Sequence, residues 1–177
     1  MSAQLHGTKW MLTYTGKMVY PHQLRVEDIC IEDIAHALAY QCRYNGHCNR
    51  FYSVAEHCVL VSREVEKFTM NKGAALAGLL HDASETWLGD TISPNKTDEH
   101  RALEEIIDRK VFDFLGIPWD ALSHVKIIDH EIIYDEMAAL FDNQEIQPRL
   151  GVQITCLDPE SAEHAFLNRW RALNGWW

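Results

Sequence analysis

A chain of 177 residues, 47% hydrophobic and 24% charged, has the length of one domain and a composition outside the disordered range. Its net charge of −10 excludes the broad Lys and Arg grip on which polymeric nucleic-acid binding depends. It leaves room for one small phosphorylated ligand, held by a local cationic cluster or a metal ion.

Residues 10–20 read W-M-L-T-Y-T-G-K-M-V-Y, with β-formers flanking Gly16, and predict a short β-hairpin. From about residue 28 the pattern turns helical: Ile31, Ile34, Ala35 and Leu38 share one face, ending near Tyr40. Ser53 followed by Glu56 three residues on reads as a capping box, and Val54, Cys58, Val61, Val65 and Phe68 form the stripe of a second helix. A third, rich in Ala and Leu, is expected over about 72–87 and ends at Gly89. Residues 90–96 form a loop, because Pro94 biases its preceding neighbour away from helix. A fourth helix spans about 98–115, closed by Gly116 with Pro118 beyond it, and a fifth covers about 120–141. Asp158 as N-cap and Pro159 at the first helical position open the last, which runs to about Leu173. With no internal repeat and no linker, residues 1–177 read as one all-α domain, a compact bundle of five or six main helices behind a short N-terminal hairpin.

No apolar run approaches the roughly 18 residues of a membrane helix. The opening Met1-Ser2-Ala3-Gln4-Leu5-His6 has neither the basic start nor the apolar stretch of a secretory signal. Five cysteines, odd in number and without a C-x-x-C pair, suit a reduced, cytoplasmic chain. The spacing of Cys42 and Cys48 is by itself a weak metal signal.

Several ionisable residues sit where an amphipathic helix would not want them. His57 lies beside the apolar stripe of its helix, His81-Asp82 follows the apolar run 74–80, and Asp129 falls between Ile128 and Ile132 on the face that Val125 and Ile128 would bury. An unpaired buried carboxylate costs several kcal/mol, so such groups are normally paired or metal-bound. Two neutral histidines and two carboxylates around a divalent ion sum to zero charge and form a sensible transition-metal shell. Taken singly, each has a plainer reading: His57 as a hydrogen-bonded core residue, His81-Asp82 as a chance pair, Asp129 as a partner of Lys126.

His81-Asp82-Ala83-Ser84-Glu85 continues to Gly89-Asp90, Pro94 and Lys96, giving H-D-A-S-E-x-x-x-G-D-x-x-x-P-x-K. This string resembles that of the bacterial HD-domain 5′-deoxynucleotidases. Val54-Ala55-Glu56-His57 resembles the first-histidine helix of that family, Arg43-Tyr44 its Arg-Trp substrate pair, and Asp129 its last aspartate. Tyr44 stands where those enzymes have Trp, and the segment before Arg43 is longer than theirs. The chain is also similar, over nearly its whole length, to small phage-encoded HD phosphohydrolases, some of which act on deoxyadenosine triphosphate. Those share T-Y-x-G-K (Thr13 to Lys17), the stretch 33–38, and the block 43–47 leading into 51–57.

The resemblance implies an HD-domain helical bundle with a metal at His57, His81, Asp82 and Asp129, and one divalent transition ion (Co, Zn or Mn) as cofactor. Glu85, one turn after His81, would orient or deprotonate the attacking water; Asp90 would share the base role or protonate the leaving oxygen. Arg43 and Lys96 would contact phosphate, with Tyr44 and His47 beside the substrate; His47 also reads as a plain loop residue. His36 is expected to pack or hydrogen-bond beside Ala35 and Leu38. The expected substrate is a small deoxynucleotide, favouring triphosphates, with monophosphates as the alternative and a non-catalytic nucleotide-binding scaffold as a distant one. Homo-oligomers are common among the related nucleotidases, and Trp176-Trp177 at the chain end could dock on the chain's own core or on a neighbouring subunit.

Overall fold

The computed structural model describes residues 9–174; Trp176 and Trp177, and with them the expected docking of the chain end, lie outside them. The described residues are all-α apart from one hairpin and an isolated bridge between Cys42 and Ser53. Strands β1 (Met11–Leu12) and β2 (Met18–Val19) pair antiparallel, with Met11 opposite Val19. Helices follow in the order α1 (Ile31–Ala39), α2 (Val54–Thr69), α3 (Lys72–Leu80), a single turn α4 (Glu85–Leu88), α5 (Asp98–Leu115), α6 (Leu122–Leu140) and α7 (Pro159–Asn174). Among the described residues, no helix is long and apolar enough to cross a membrane.

Helices α2 and α3 form the centre, and α6 and α7 pack across both. The close approach of α2 and α3 depends on Gly78, where an added Cβ would meet the Ser62 Cα at 3.1 Å. Ser62 Oγ, no longer kept away by a side chain there, donates to the Ala75 carbonyl at 2.7 Å. Most of the apolar stripes read from the sequence become the core: Ile34 and Leu38 of α1, Val54, Cys58, Val61 and Val65 of α2, and Leu79 and Leu80 of α3 are fully buried, but Phe68, expected at the end of the α2 stripe, lies in the helix's last turn and is 59% exposed.

Buried carboxylates fasten the irregular segments to this frame. Asp33 accepts from Thr15 N at 2.7 Å and Thr15 Oγ1 at 2.9 Å, holding the hairpin turn on α1. Asp135 takes the amides of Arg149, Leu150 and Val152, and Glu56 those of Thr155, Cys156 and Leu157. His36 stacks between Tyr14 and Tyr40 and pairs with Glu163 at 2.9 Å, as a packing residue should.

Two helix boundaries and one cap differ from what the sequence predicts, each for a physical reason. The first helix starts at Ile31 rather than near residue 28, because Asp28 is drawn into a 3-10 turn by Arg25, whose Nη2 donates to it at 2.7 Å. Ser53 caps α2 by accepting from Glu56 N at 3.0 Å, but Glu56 does not close the box, since its carboxylate is spent on the 155–157 amides. The helix expected over 72–87 stops at Leu80. There His81 Nδ1 donates back to the Gly78 carbonyl at 2.9 Å, and the backbone changes to three-residue bonds (Ala83 N to Leu80 O, Thr86 N to Ala83 O) before α4.

Candidate metal centre and phosphate cleft

The break after Leu80 is what builds the site. It turns His81 and Asp82 out of the α3 axis towards α2 and α6, and Asp108 on α5 stabilises it by accepting from Ser84 N at 2.9 Å and Ser84 Oγ at 3.2 Å. His57 arrives from the first turn of α2, fully buried, and Asp129 from the second turn of α6.

Four donor groups converge. His57 Nε2 lies 3.3 Å from His81 Nε2 and 3.1 Å from Asp129 Oδ1. Asp82 Oδ2 is 3.3 Å from His81 Nε2 and 3.7 Å from His57 Nε2, and Asp129 Oδ1 is 3.7 Å from His81 Nε2. Donors about 2.0–2.1 Å from one ion would stand roughly 3.0–3.4 Å apart, so the spacings among His57, His81 and Asp129 fit a divalent metal with slight contraction, and Asp82 stands within reach of both histidines. The far side of each ring is anchored: His57 Nδ1 donates to Glu136 at 2.6 Å and His81 Nδ1 to the Gly78 carbonyl. Such contacts fix the tautomer that leaves Nε2 free to ligate. A second convergence joins Cys58 to His81 and Asp82. Burial pushes the Cys58 thiol up to about 11, so it is protonated at neutral pH and the poorer ligand.

Electrostatics point the same way. Burial opposes protonation of both rings, and Arg43 opposes it at His57, yet Glu136 and Asp129 raise His57 on balance, and Asp82, the Cys58 thiol and Asp129 hold His81 well above the ordinary imidazole range. Asp129, although buried, is held far below the carboxylate range by His57 and His81. The pocket thus attracts positive charge, as a cation site must.

In front of these donors opens a cleft of about 490 Å³ lined by Arg43, Tyr44, His47, Asp82, Glu85, Asp90, Lys96 and Asp129, with Ile92, Ile133, Met137 and Phe141 as its apolar wall. All ten residues singled out in the sequence are therefore brought together: eight on the cleft surface, with His57 and His81 touching Asp82 and Asp129 from behind. His47 is exposed at the rim. Lys96 Nζ pairs with Glu104 at 2.7 Å and lies 3.8 Å from Glu85. The other Glu85 oxygen, Oε2, is buried without a partner. Burial lifts the Glu85 carboxyl well above its ordinary range, and the charges of Asp82 and Asp90 add to this against Arg43 and Lys96. Asp90 is raised too, by burial and Asp82 against the pull of Arg43. Its place is set by Gly89, whose φ of 80° and ψ of 153° only glycine adopts readily, and by Gln41, which accepts from Asp90 N at 2.8 Å.

Glu136 is a further residue of the site, beyond those expected from the sequence. Fully buried on α6, it accepts from His57 Nδ1, from Tyr52 OH at 2.8 Å, from Tyr44 OH and from Arg43 Nη2 at 3.3 Å. Its carboxyl is held down to about 2, because Arg43 and His57 outweigh burial. A signal was present: residue 136 falls seven after Asp129, two helical turns along one face. The segment carrying Arg43 and Tyr44 is itself strained at Tyr44, whose φ of 59° costs such a residue roughly 1–2 kcal/mol, whereas Asn45, at 52°, belongs to a residue type that enters this region readily. Cys42 and Cys48 bring their sulfurs within 3.6 Å but, among the described residues, join no group of three or more metal-binding side chains.

No family model matches the chain. Over 120 residues it is 37% identical to the uncharacterized protein YfdR of Escherichia coli (strain K12), covering 66% of this chain and 64% of the relative. Over 86 residues it is 45% identical to an uncharacterized protein of Rhodobacter capsulatus, covering 46% of this chain and 44% of the relative. The matches thus span less than two thirds of either relative's length, and neither relative's name states an activity.

Proposed function

We propose that this chain is a metal-dependent phosphohydrolase of the HD superfamily that removes 5′ phosphates from deoxynucleotides. The observation that carries the reading is the convergence of His57, His81 and Asp129, with Asp82 beside both histidines, at the floor of a cleft that also holds an unpartnered carboxylate oxygen and two cations. A divalent ion held by those four residues would lower the pKa of a bound water and draw charge from the phosphoryl group. Arg43 and Lys96 bind the phosphate oxygens, the guanidinium by its planar fork. Glu85 accepts the proton of the attacking water at Oε2, for which its raised pKa suits it. Asp90, also raised, delivers a proton to the departing oxygen. Tyr44, Met137 and Phe141 pack against base and sugar. The five free cysteines support a reducing compartment, the cytoplasm.

The resemblance to phage enzymes favours triphosphates. One observation favours monophosphates as the second reading: Arg43 and Lys96 are the cleft's Lys and Arg lining, and both are shared, Arg43 with Glu136 and Asp82, Lys96 with Glu104. Two shared cations match a short phosphate better than a triphosphate chain. A phosphate-release screen of deoxy- and ribonucleoside mono-, di- and triphosphates, with Co²⁺, Mn²⁺, Zn²⁺ or Mg²⁺ and an Asp82→Ala control, separates the two. Turnover of a deoxynucleotide, absent in the control, is expected. Silence with every ion and nucleotide would refute the reading and favour a binding protein.

A further inference from the structure

Glu136 stands between the two halves of the site and touches neither the ion position nor the open cleft. One oxygen, Oε1, receives His57 Nδ1 at 2.6 Å and Tyr52 OH at 2.8 Å; the other, Oε2, receives Tyr44 OH and, at 3.3 Å, Arg43 Nη2. Arg43 Nη1 in turn lies 3.7 Å from Asp82 Oδ2. A carboxylate accepts but cannot donate, so it demands the proton of His57 on Nδ1 and leaves Nε2 bare, facing His81 and Asp129. The same carboxylate binds both Arg43 and Tyr44 of a segment that carries positive φ at Tyr44, Asn45 and Gly46, with the guanidinium turned towards Asp82.

We propose that Glu136 is a positioning residue, which sets the His57 tautomer and the aim of Arg43 with one buried carboxylate. The inference rests on the metal-centred reading of the site and names a residue on which that reading depends. It follows that metal affinity depends on Glu136, although Glu136 is not a ligand. A Glu136 that served only to glue α6 to the 43–46 segment would affect stability and leave affinity alone.

The test is titration of chelator-stripped protein with Co²⁺ by calorimetry and by its visible absorption, alongside melting temperatures, for wild type, Glu136→Gln and Tyr52→Phe. Glutamine keeps the shape but presents an amide donor to groups that are themselves donors. Loss of such a supporting contact typically weakens metal binding by about 10–100-fold, and that fall, with an altered Co²⁺ spectrum, is expected for Glu136→Gln. Tyr52→Phe removes one donor from Oε1 but leaves the His57 contact, so its melting temperature should drop while Co²⁺ affinity stays within about threefold of wild type. Equal Co²⁺ affinity in wild type and Glu136→Gln would overturn the positioning role and leave the metal reading standing. Failure of wild type itself to bind Co²⁺ would overturn both. If Glu136→Gln does not fold, nitrogen NMR of metal-free wild type, at a pH where the ring is neutral, decides. An exchange-protected Nδ1–H on His57 supports the proposal, and a proton on Nε2 overturns it.

Discussion

Replacing Glu85 with glutamine should move activity and stability in opposite directions. Glu85 sits on the short α4 turn, 4% exposed, with Oε2 unpartnered and Oε1 3.8 Å from a Lys96 that already has Glu104 at 2.7 Å. Burial and the neighbouring Asp82 and Asp90 raise its carboxyl, so the ionised form is disfavoured in the folded state. A group whose folded pKa lies above its unfolded one contributes its stability fully below the unfolded value and loses it as pH rises through the folded value. Near pH 8 the carboxylate is therefore a burden that a neutral amide relieves. Metal-free Glu85→Gln should melt at the same temperature as wild type or higher, by up to about 1 kcal/mol, which for a chain of this size is roughly 2–4 °C. If Glu85 takes the proton of the attacking water, loss of that base lowers the rate by about 10²–10⁴-fold. The assays are calorimetric melting of metal-free protein at pH 8 and phosphate release by metal-loaded protein. A melting temperature several degrees lower with a near-normal rate would show Glu85 to be an ion-pair partner of Lys96, and the base assignment would fall.

Two further outcomes test the frame around the site. Glu56→Gln removes the charge that accepts the Thr155, Cys156 and Leu157 amides; a loss of about 3 kcal/mol is expected from those charge-assisted bonds, read as a fall of roughly 6–12 °C in Tm. Hydrogen exchange should quicken at those three amides first, and unchanged exchange there would refute the anchoring role. Asp108 carries a carboxyl that burial pushes up to about 8 against its two bonds from Ser84. Between about pH 4 and pH 8 the folded state therefore holds a proton that the unfolded chain has lost, and stability declines as pH rises across that window. Asp108→Asn keeps an acceptor for Ser84 N and should flatten the decline in denaturant titrations; a slope equal to that of wild type would refute it.

What the sequence revealed and what it hid follow from the range of the interactions. Helix periodicity is local, so Ile34, Leu38, Val61 and Val65 could be assigned to the core directly, and all four are fully buried. His57, His81, Asp82 and Asp129 stood out because ionisable groups on apolar faces need a partner. The hidden parts hang on distant partners. Glu56 imitates a capping box, yet its partners lie about a hundred residues away. The break at 81–84 depends on a ring-to-carbonyl bond and on Asp108, 24 residues beyond Ser84. Glu136 lay at a readable spacing from Asp129, but its four donors come from α2 and the segments preceding it, which helix periodicity does not bring together.

The most direct test of a metal-centred site is to strip the protein with chelator, return Co²⁺ or Mn²⁺ in fractions of an equivalent, and follow phosphate release from deoxynucleoside mono- and triphosphates. Release that climbs in proportion to added ion and levels at one equivalent per chain, with no response in His81→Ala, is the expected result. Turnover that persists in the stripped protein, or that ignores the added ion, would contradict a catalytic metal at His57, His81, Asp82 and Asp129.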